Sequence, residues 1–446
     1  MKAVILNGSP SGENSITLYT VKYIEKHFPE CEFEVLHVGQ KIKKFEKDFS
    51  PCVPALESAE LIVFCYPVYT FLVPAQLHRF IELMKENGVA VEGKCATQIS
   101  TSKHFYDITA HSFIEENCAD LGLRYIRGLS ADMDDLLTEK GRKEALDFFR
   151  FVLWSMESGI FEPSPLLSSA AQSPVQEPCP ASAEAGEKVD GKTVIVADYD
   201  PEADEHLAGL IESFRQALPM DSDVVNIRDF PFAGGCLGCF RCASSGKCIY
   251  KDRFDDFLRN NIQSANAIVY AYTIKDHSMG YRFKLFDDRQ FCNGHRTVTM
   301  GSPVAYLVSG RLENEPNLRL LMESRAQVGG NFLAGVATTA AQAKQTAAVL
   351  AYAAENGYQP PKDFYGVGGL KIFRDLIYQM QGLMREDHRF YKKHGFYDDF
   401  PQKRKLRIAA MYAVGAMMSN EKLRKKAGNK MTEGMVMPYK KVLEKF

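Results

Sequence analysis

The chain has 446 residues, 54 Lys and Arg against 56 Asp and Glu, and 46% hydrophobic residues. That size and balance fit two globular domains with a further element, and exclude a disordered, collagen-like or nucleic-acid-seeking basic chain. Eleven cysteines, an odd number scattered mostly singly, fit a reducing compartment and not a disulfide framework. Met1-Lys2 leads straight into a strand with no signal peptide, and the longest late apolar run, about 408–418, is too short to span a bilayer. The expected location is the cytoplasm.

From residue 1 to 161 apolar strands alternate with amphipathic helices: strands at 2–6, 33–38, 61–66, 95–100 and 123–129, helices at 15–27, 75–86, 105–121 and 139–158. The run 61–66 is almost continuously apolar, as a parallel strand covered on both faces requires. This rhythm predicts an α/β fold with a doubly wound parallel five-stranded sheet.

The loop after the first strand reads Asn7-Gly8-Ser9-Pro10-Ser11-Gly12-Glu13-Asn14-Ser15-Ile16-Thr17. Gly8 permits a sharp turn. Ser9, Ser11, Asn14, Ser15 and Thr17 offer polar side chains where the amides of a helix N-terminus converge, which suits a phosphate. The same residues also suit an ordinary capped turn. Two further loops lie at carboxyl ends of strands, where ligands of doubly wound sheets bind: Pro67, Val68, Tyr69, Thr70 and Phe71 after the third strand, and Ser100, Thr101, Ser102 and Lys103 after the fourth. Aromatics there suit the flank of a flat ring, and hydroxyls its edge. The alternative for Tyr69 and Phe71 is core packing. Lys103 or His104 would stabilise an anionic ring.

Residues 162–190 break the rhythm with five prolines among Ser, Ala and Glu, and read as a linker. The strand–helix plan then repeats over 191–358, with strands at 193–197, 224–227, 267–272, 304–308 and 332–336.

Inside this second domain lies Cys236-x2-Cys239-x2-Cys242-x5-Cys248. Three thiols stepping by three and a fourth after a turn suit one compact [4Fe–4S] site, as in the C-x2-C-x2-C run of bacterial ferredoxins. Zinc, or thiols free or paired as a disulfide, are the alternatives. Residues 359–446 form a helical tail; from 360 onward 19 Lys and Arg stand against 9 Asp and Glu. Packing of its Met and aromatic face on the domains is the first reading. Contact with an acidic redox partner or a membrane surface is the lesser one.

On these motifs the chain resembles the NADPH-dependent FMN reductases of the flavodoxin-like superfamily and, more narrowly, the iron–sulfur flavoproteins. Gly8-Ser9-Pro10 with Asn14-Ser15 matches their FMN phosphate loop, Pro67-Val68-Tyr69 their P-x-Y loop, and Cys236 to Cys248, followed by Asp252 and Asp255-Asp256, their cluster motif. The resemblance covers about 1–160 and 190–356. It implies FMN and a [4Fe–4S] cluster, an NAD(P)H or ferredoxin donor, and a small acceptor such as a quinone, activated alkene, nitro compound or oxygen species. A non-catalytic electron carrier, and a redox-sensing or scaffold protein with structural cysteines, are the competing classes.

In that family one domain carries both motifs; here they are split. The first domain has only Cys52 between its second and third strands. The second begins Asp198-Tyr199-Asp200-Pro201-Glu202-Ala203-Asp204-Glu205, whose five carboxylates repel a phosphate. The expectation is a fused pair of specialised halves, with FMN on the first and the cluster of the second facing it. Homodimerisation would be a further level of assembly.

Overall fold

The structure, a computed structural model, describes residues 1–162, 188–239, 241–419 and 422. Most of the sequence-predicted linker, 163–187, and the end of the basic tail lie outside the described residues.

The first domain is a parallel sheet in the order β2-β1-β3-β4-β5, with β6 also paired to β4. Its strands are β1 (Lys2–Asn7), β2 (Glu32–Leu36), β3 (Leu61–Pro67), β4 (Cys95–Ser102), β5 (Arg124–Tyr125) and β6 (Leu129–Asp132). Central β3 and β4 are buried almost throughout, which explains the unalternating apolar sequence of β3; β4 buries Thr97, Gln98, Ser100, Thr101 and Ser102 as well. Helices α1 (Ile16–Glu25), α2 (Val38–Phe45), α3 (Val53–Ser58), α4 (Ala75–Glu86), α5 (Asp107–Asp120) and α6 (Glu139–Ser158) cover the two faces. Thr138 caps α6 by accepting from the Gly141 amide, and Gly159 at φ 66° ends it.

Two local readings need correction. The single strand expected at 123–129 is two short strands, both paired to β4. Between them a Cβ at Gly128 would lie 2.2 Å from the Gln98 side chain, so the chain crosses Gln98 closely and the ladder breaks there. Helices α2 and α3, with no counterpart in the sequence reading, fill the long β2–β3 connection.

The second domain repeats the order: β11-β10-β9-β7-β8, all parallel, with β7 (Lys192–Asp198), β8 (Asp221–Asn226), β9 (Ala267–Thr273), β10 (Pro303–Ser309) and β11 (Phe332–Ala337). Its long helices are α7 (Glu205–Ala217), α8 (Gly280–Arg289), α9 (Pro316–Gly329) and α10 (Ala340–Asn356). Both sheets have the flavodoxin-like 2-1-3-4-5 order.

The domains meet through equivalent helices, α4 on α8 and α5 on α9. Their facing sides share one apolar core, in which Leu77, Phe80 and Phe113 join Phe283, Phe286 and Leu318, while each outer face has a core of its own. Helix α11 (Phe364–Gln379) returns to the first domain, where Phe373 stacks on Phe105 at 4.0 Å and the Tyr365 carbonyl accepts from the Tyr106 hydroxyl at 2.7 Å. This part of the tail has the packing role expected for it.

All of this belongs to one compact unit, Met1–His388; the second unit begins at Arg389, within helix α12 (Arg385–Lys393), and contains α13 (Lys405–Ser419). No helix among the described residues is long and apolar enough to cross a membrane.

Candidate functional site

The hydroxyl-rich loop closes β1 against the start of α1. The Gly8 amide donates to the Cys65 carbonyl at 2.8 Å, and a Cβ at Gly39 would sit 2.4 Å from the Gly8 carbonyl oxygen, so α2 docks directly on the loop. Ser9, Ser15 and Thr17 are buried. Ser15 caps α1, accepting from the Leu18 amide, and the Ser9 hydroxyl accepts from the Ser11 amide. The capped-turn reading therefore holds for these two hydroxyls. The remaining first-turn amides and the helix dipole still point at the same spot. Ser11 is half-buried and Asn14 exposed. The one carboxylate in the loop, Glu13, turns away to Lys22 at 2.6 Å and His37 at 2.7 Å.

The corresponding loop of the second domain is filled by protein. Arg228 reaches Asp198 at 2.8 Å, Asp204 at 3.5 Å and Asp200 at 3.9 Å. The five carboxylates outnumber the guanidiniums that meet them, Arg228 and, at 3.8 Å from Asp198, Arg282, so the loop stays net negative, which disfavours an anion.

After β3 the chain makes a tight turn in which the amides and carbonyls of Tyr69 and Leu72 pair at 2.8 and 2.9 Å. Thr70 and Phe71 take φ of 41° and 70°. This geometry corrects two expected ring contacts. Thr70 points across the domain boundary, its hydroxyl donating to Asp288 at 2.6 Å. Phe71 is buried among Phe105, Tyr106 and the Arg325 guanidinium. Pro67, Val68 and Tyr69 remain half-buried at the carboxyl end of the sheet, with the Val68 amide donating to the Thr101 carbonyl at 3.1 Å.

At the carboxyl end of β4, which runs on through the expected loop residues Ser100, Thr101 and Ser102, Ser100 meets His111 Nε2 at 2.8 Å, and burial pushes that imidazole down to about 4, so it is neutral at pH 7. The Thr101 and Thr17 hydroxyls lie 2.6 Å apart, joining the first and third loops. The Ser102 hydroxyl accepts from the His104 amide. Lys103 is not free to face an anionic ring: its ammonium is held by Asp132 at 2.7 Å and Asp134 at 2.6 Å. Beside this edge, a cavity of about 390 Å³ opens between α1, β6 and α6, lined by Thr20, His104, Ser130 and Lys140 among others.

The cysteine loop follows β8 and lies against the first domain. Gly238, at φ 62°, has no room for a side chain: a Cβ would fall 2.0 Å from the Tyr69 hydroxyl. Gln76 Nε2 donates to the Cys236 carbonyl at 3.3 Å. The cysteine loop and the Tyr66–Phe71 loop thus meet within one chain. Burial raises the Cys236 thiol and pushes Cys242 up to about 11, and the neighbouring cysteines add to both shifts. Cys239 is the exposed member.

The residue that anchors this loop is Arg289, 1% exposed. Its guanidinium forks onto Asp252, both contacts at 2.8 Å, donates to the Gly234 carbonyl at 2.9 Å, and lies 3.9 Å from the Cys248 sulfur. It also lies over the Tyr250 and Phe254 rings. Five residues earlier on α8, buried Lys284 reaches Asp288 at 2.5 Å, the Thr70 hydroxyl at 2.5 Å and the Tyr69 carbonyl at 2.9 Å, while Asp288 accepts from the Ala75 amide. One helix therefore fixes both loops. Sequence reasoning missed Lys284, Asp288, Arg289 and Gln76. The signal was present: charges at 284, 288 and 289 interleave with Phe283 and Phe286, so they cannot all face water. Buried Cys292, near Cys248 and Cys242, is a fifth thiol beside the loop.

The sequence model of the NADPH-dependent FMN reductase family matches residues 1–112, a quarter of the chain. An FMN-dependent NADH-azoreductase from Bacillus anthracis, solved with FMN, is similar at 15% identity over 36% of this chain and 99% of that one, with a TM-score of 0.27. A protein from P. pentosaceus described as an NADPH-quinone reductase is similar at 15% identity over 33% and 95%, TM-score 0.27. An NADH:FMN oxidoreductase (EMOB) in its apo form reaches 21% identity over 34% and 88%, TM-score 0.30. No curated protein matches.

Proposed function

We propose that the protein is an FMN-dependent oxidoreductase, with the flavin on the first domain and an iron–sulfur cluster on Cys236, Cys239, Cys242 and Cys248, drawing electrons from NAD(P)H or a reduced ferredoxin to reduce a small acceptor. The observation that carries this reading is α8, which holds the Tyr69 turn through Lys284 and the cysteine loop through Arg289, and so seats Gly238 against the Tyr69 hydroxyl.

The residues fit both groups. The first loop gathers buried hydroxyls and helix amides with its carboxylate turned away, as a phosphate dianion needs. The cysteine loop carries four thiols within thirteen residues and has a fixed guanidinium at its Cys248 end, whose charge would offset that of a thiolate-ligated site. When bound, FMN exchanges one or two electrons and a [4Fe–4S] cluster exchanges one at a time. Exposed Cys239 offers the point of electron entry. Ser100, Thr101 and Ser102 set the polar edge of the flavin loop, and neutral His111 holds Ser100 in place.

Anaerobically purified full-length protein tests the proposal. About one FMN and four irons per chain, and steady turnover of a quinone with NAD(P)H or reduced ferredoxin, are expected. One zinc per chain, or iron unchanged in Cys242→Ala, rejects the cluster. Reduction without turnover favours an electron carrier.

A further inference from the structure

We propose that His78, Glu82 and Asp276 form a divalent-cation site that ties the two domains together. The ligand atoms of these three side chains lie within 4.8 Å of one another. His78 and Glu82 are one turn apart on α4, so both project on one side of the helix. Asp276 enters from the second domain, on the turn between β9 and α8.

His78 is fully buried, and neither of its ring nitrogens has a hydrogen-bond partner. Its Nε2 stands 3.9 Å from the nearer Glu82 oxygen, beyond hydrogen-bond reach. Asp276 Oδ2 is likewise buried and unpartnered. Three orphaned polar atoms in one buried spot are an exception to the rule that such groups are satisfied. A cation taking the lone pair of one His78 nitrogen and that of Asp276 Oδ2 satisfies two of the three, and leaves the other ring nitrogen as the N–H of the neutral imidazole. Burial pushes the His78 imidazole down to about 4, so its lone pair is available at neutral pH.

Glu46, Glu82, Glu86, Asp120, Asp276 and Glu315 are linked through Arg79, Lys85, Lys275 and His277. Carboxylates outnumber cations in this network, a setting that favours a bound cation. The other oxygens are already oriented: Glu82 accepts from the Tyr281 amide at 2.8 Å and Asp276 from Lys85 at 3.0 Å. These partners aim the ligands without consuming His78 Nδ1, His78 Nε2 or Asp276 Oδ2. One imidazole with two carboxylates is a donor set for Mn²⁺, Fe²⁺ or Zn²⁺.

Mn²⁺ is the probe of choice because thiolates bind it poorly, which separates this site from the cysteines. Chelator-treated full-length protein is titrated with Mn²⁺ and free ion is read by electron paramagnetic resonance. One saturable Mn²⁺ per chain is expected, with a raised unfolding temperature. Asp276→Asn and His78→Gln each weaken binding at least tenfold, and Cys236→Ser leaves it unchanged. No saturable binding in the millimolar range, or unaltered binding in both variants, overturns the proposal. Pulsed resonance of the wild-type complex decides the matter even where the variants do not fold. A coupled imidazole nitrogen is expected on the bound Mn²⁺, and its absence overturns the site. None of these readings depends on flavin or iron content.

Discussion

After β3 the chain turns through Tyr69–Leu72, with Thr70 and Phe71 at φ 41° and 70°; after β9 it turns through Lys275–Ser278, with Asp276 and His277 at 52° and 59°. The backbones match, down to the cross-turn pairing of first and last residues. The side chains do not. In the first domain the turn carries aromatics and a hydroxyl. In the second it carries an acid and a histidine that reach into α4 and α5 of the first. Left-handed conformations at non-glycine residues cost about 1–3 kcal/mol each and persist only where surroundings hold them. What the two halves share is thus the strained turn, and its use differs: one turn lies beside the candidate flavin edge, the other packs into the interface.

The strongest way to break this comparison is at the residue that braces the first turn. Lys284→Met leaves Asp288 buried without its ammonium, and Thr70 and the Tyr69 carbonyl without a donor. Removing one partner of a buried pair costs about 3–5 kcal/mol. Urea unfolding of the full-length protein is expected to show a loss of that size. Lys284→Met with Asp288→Leu is expected to recover much of it, because no buried charge remains.

Next in size is the first βα loop, where the halves differ most. Ser9→Ala removes a buried hydroxyl from the hydroxyl-rich loop, and a hydrogen bond to a charged group contributes about 1.5–3 kcal/mol. FMN affinity, measured by flavin fluorescence quenching, is expected to fall roughly 10- to 100-fold. An Arg228→Ala change in the second domain is expected to leave flavin stoichiometry at one. A second flavin there, or no effect at Ser9, contradicts the assignment of the two loops.

The locking turn has a pH signature. Burial alone would lower His277, but its contacts with Asp120 and Glu315 outweigh that and raise it to about 10. A raised folded value means that stability is fully present below the unfolded value near 6.5 and is lost as pH climbs towards 10. Glu116 beside it is raised to about 8 by burial, so its contribution also declines as pH rises from about 4.5. Both slopes have the same sign. The ceiling for one group is about 1.4 kcal/mol per pH unit, and solvent screening at the edge of the cluster leaves about half. Between pH 7 and 9, His277→Gln is expected to flatten the fall of unfolding free energy by about that amount.

How much of this was legible follows from which forces act locally. The succession of strands and helices along the chain is written in apolar periodicity, so two doubly wound parallel sheets were readable; the 2-1-3-4-5 order within each is what the structure adds. The candidate phosphate loop and the four cysteines stand out in the sequence because each is contiguous. What failed was long-range. Thr70 and Phe71 looked like ligand contacts because nothing local reveals Asp288 or Phe105. Lys103 looked free because Asp132 and Asp134 lie beyond the next helix. Arg289 organises the cysteine loop from about forty residues away, and only its place on an apolar helix hinted at burial.

The smallest effect isolates the contact between the two loops. Gly238 is left-handed, and any L residue there carries a backbone penalty of about 1–2 kcal/mol whatever surrounds it. Alanine would add a methyl group 2.0 Å from the Tyr69 hydroxyl and 3.1 Å from the ring carbon bearing it. Tyr69→Phe deletes the first clash and leaves the second as a tight contact. The backbone penalty is common to both backgrounds, so a double-mutant cycle cancels it and reports only the clash. Gly238→Ala is expected to destabilise the wild type more than Tyr69→Phe, with a coupling of about 0.5–1 kcal/mol in urea unfolding. Equal effects in both backgrounds would mean that the cysteine loop does not rest on the aromatic turn, and the one-chain pairing of the two candidate sites would lose its point of contact.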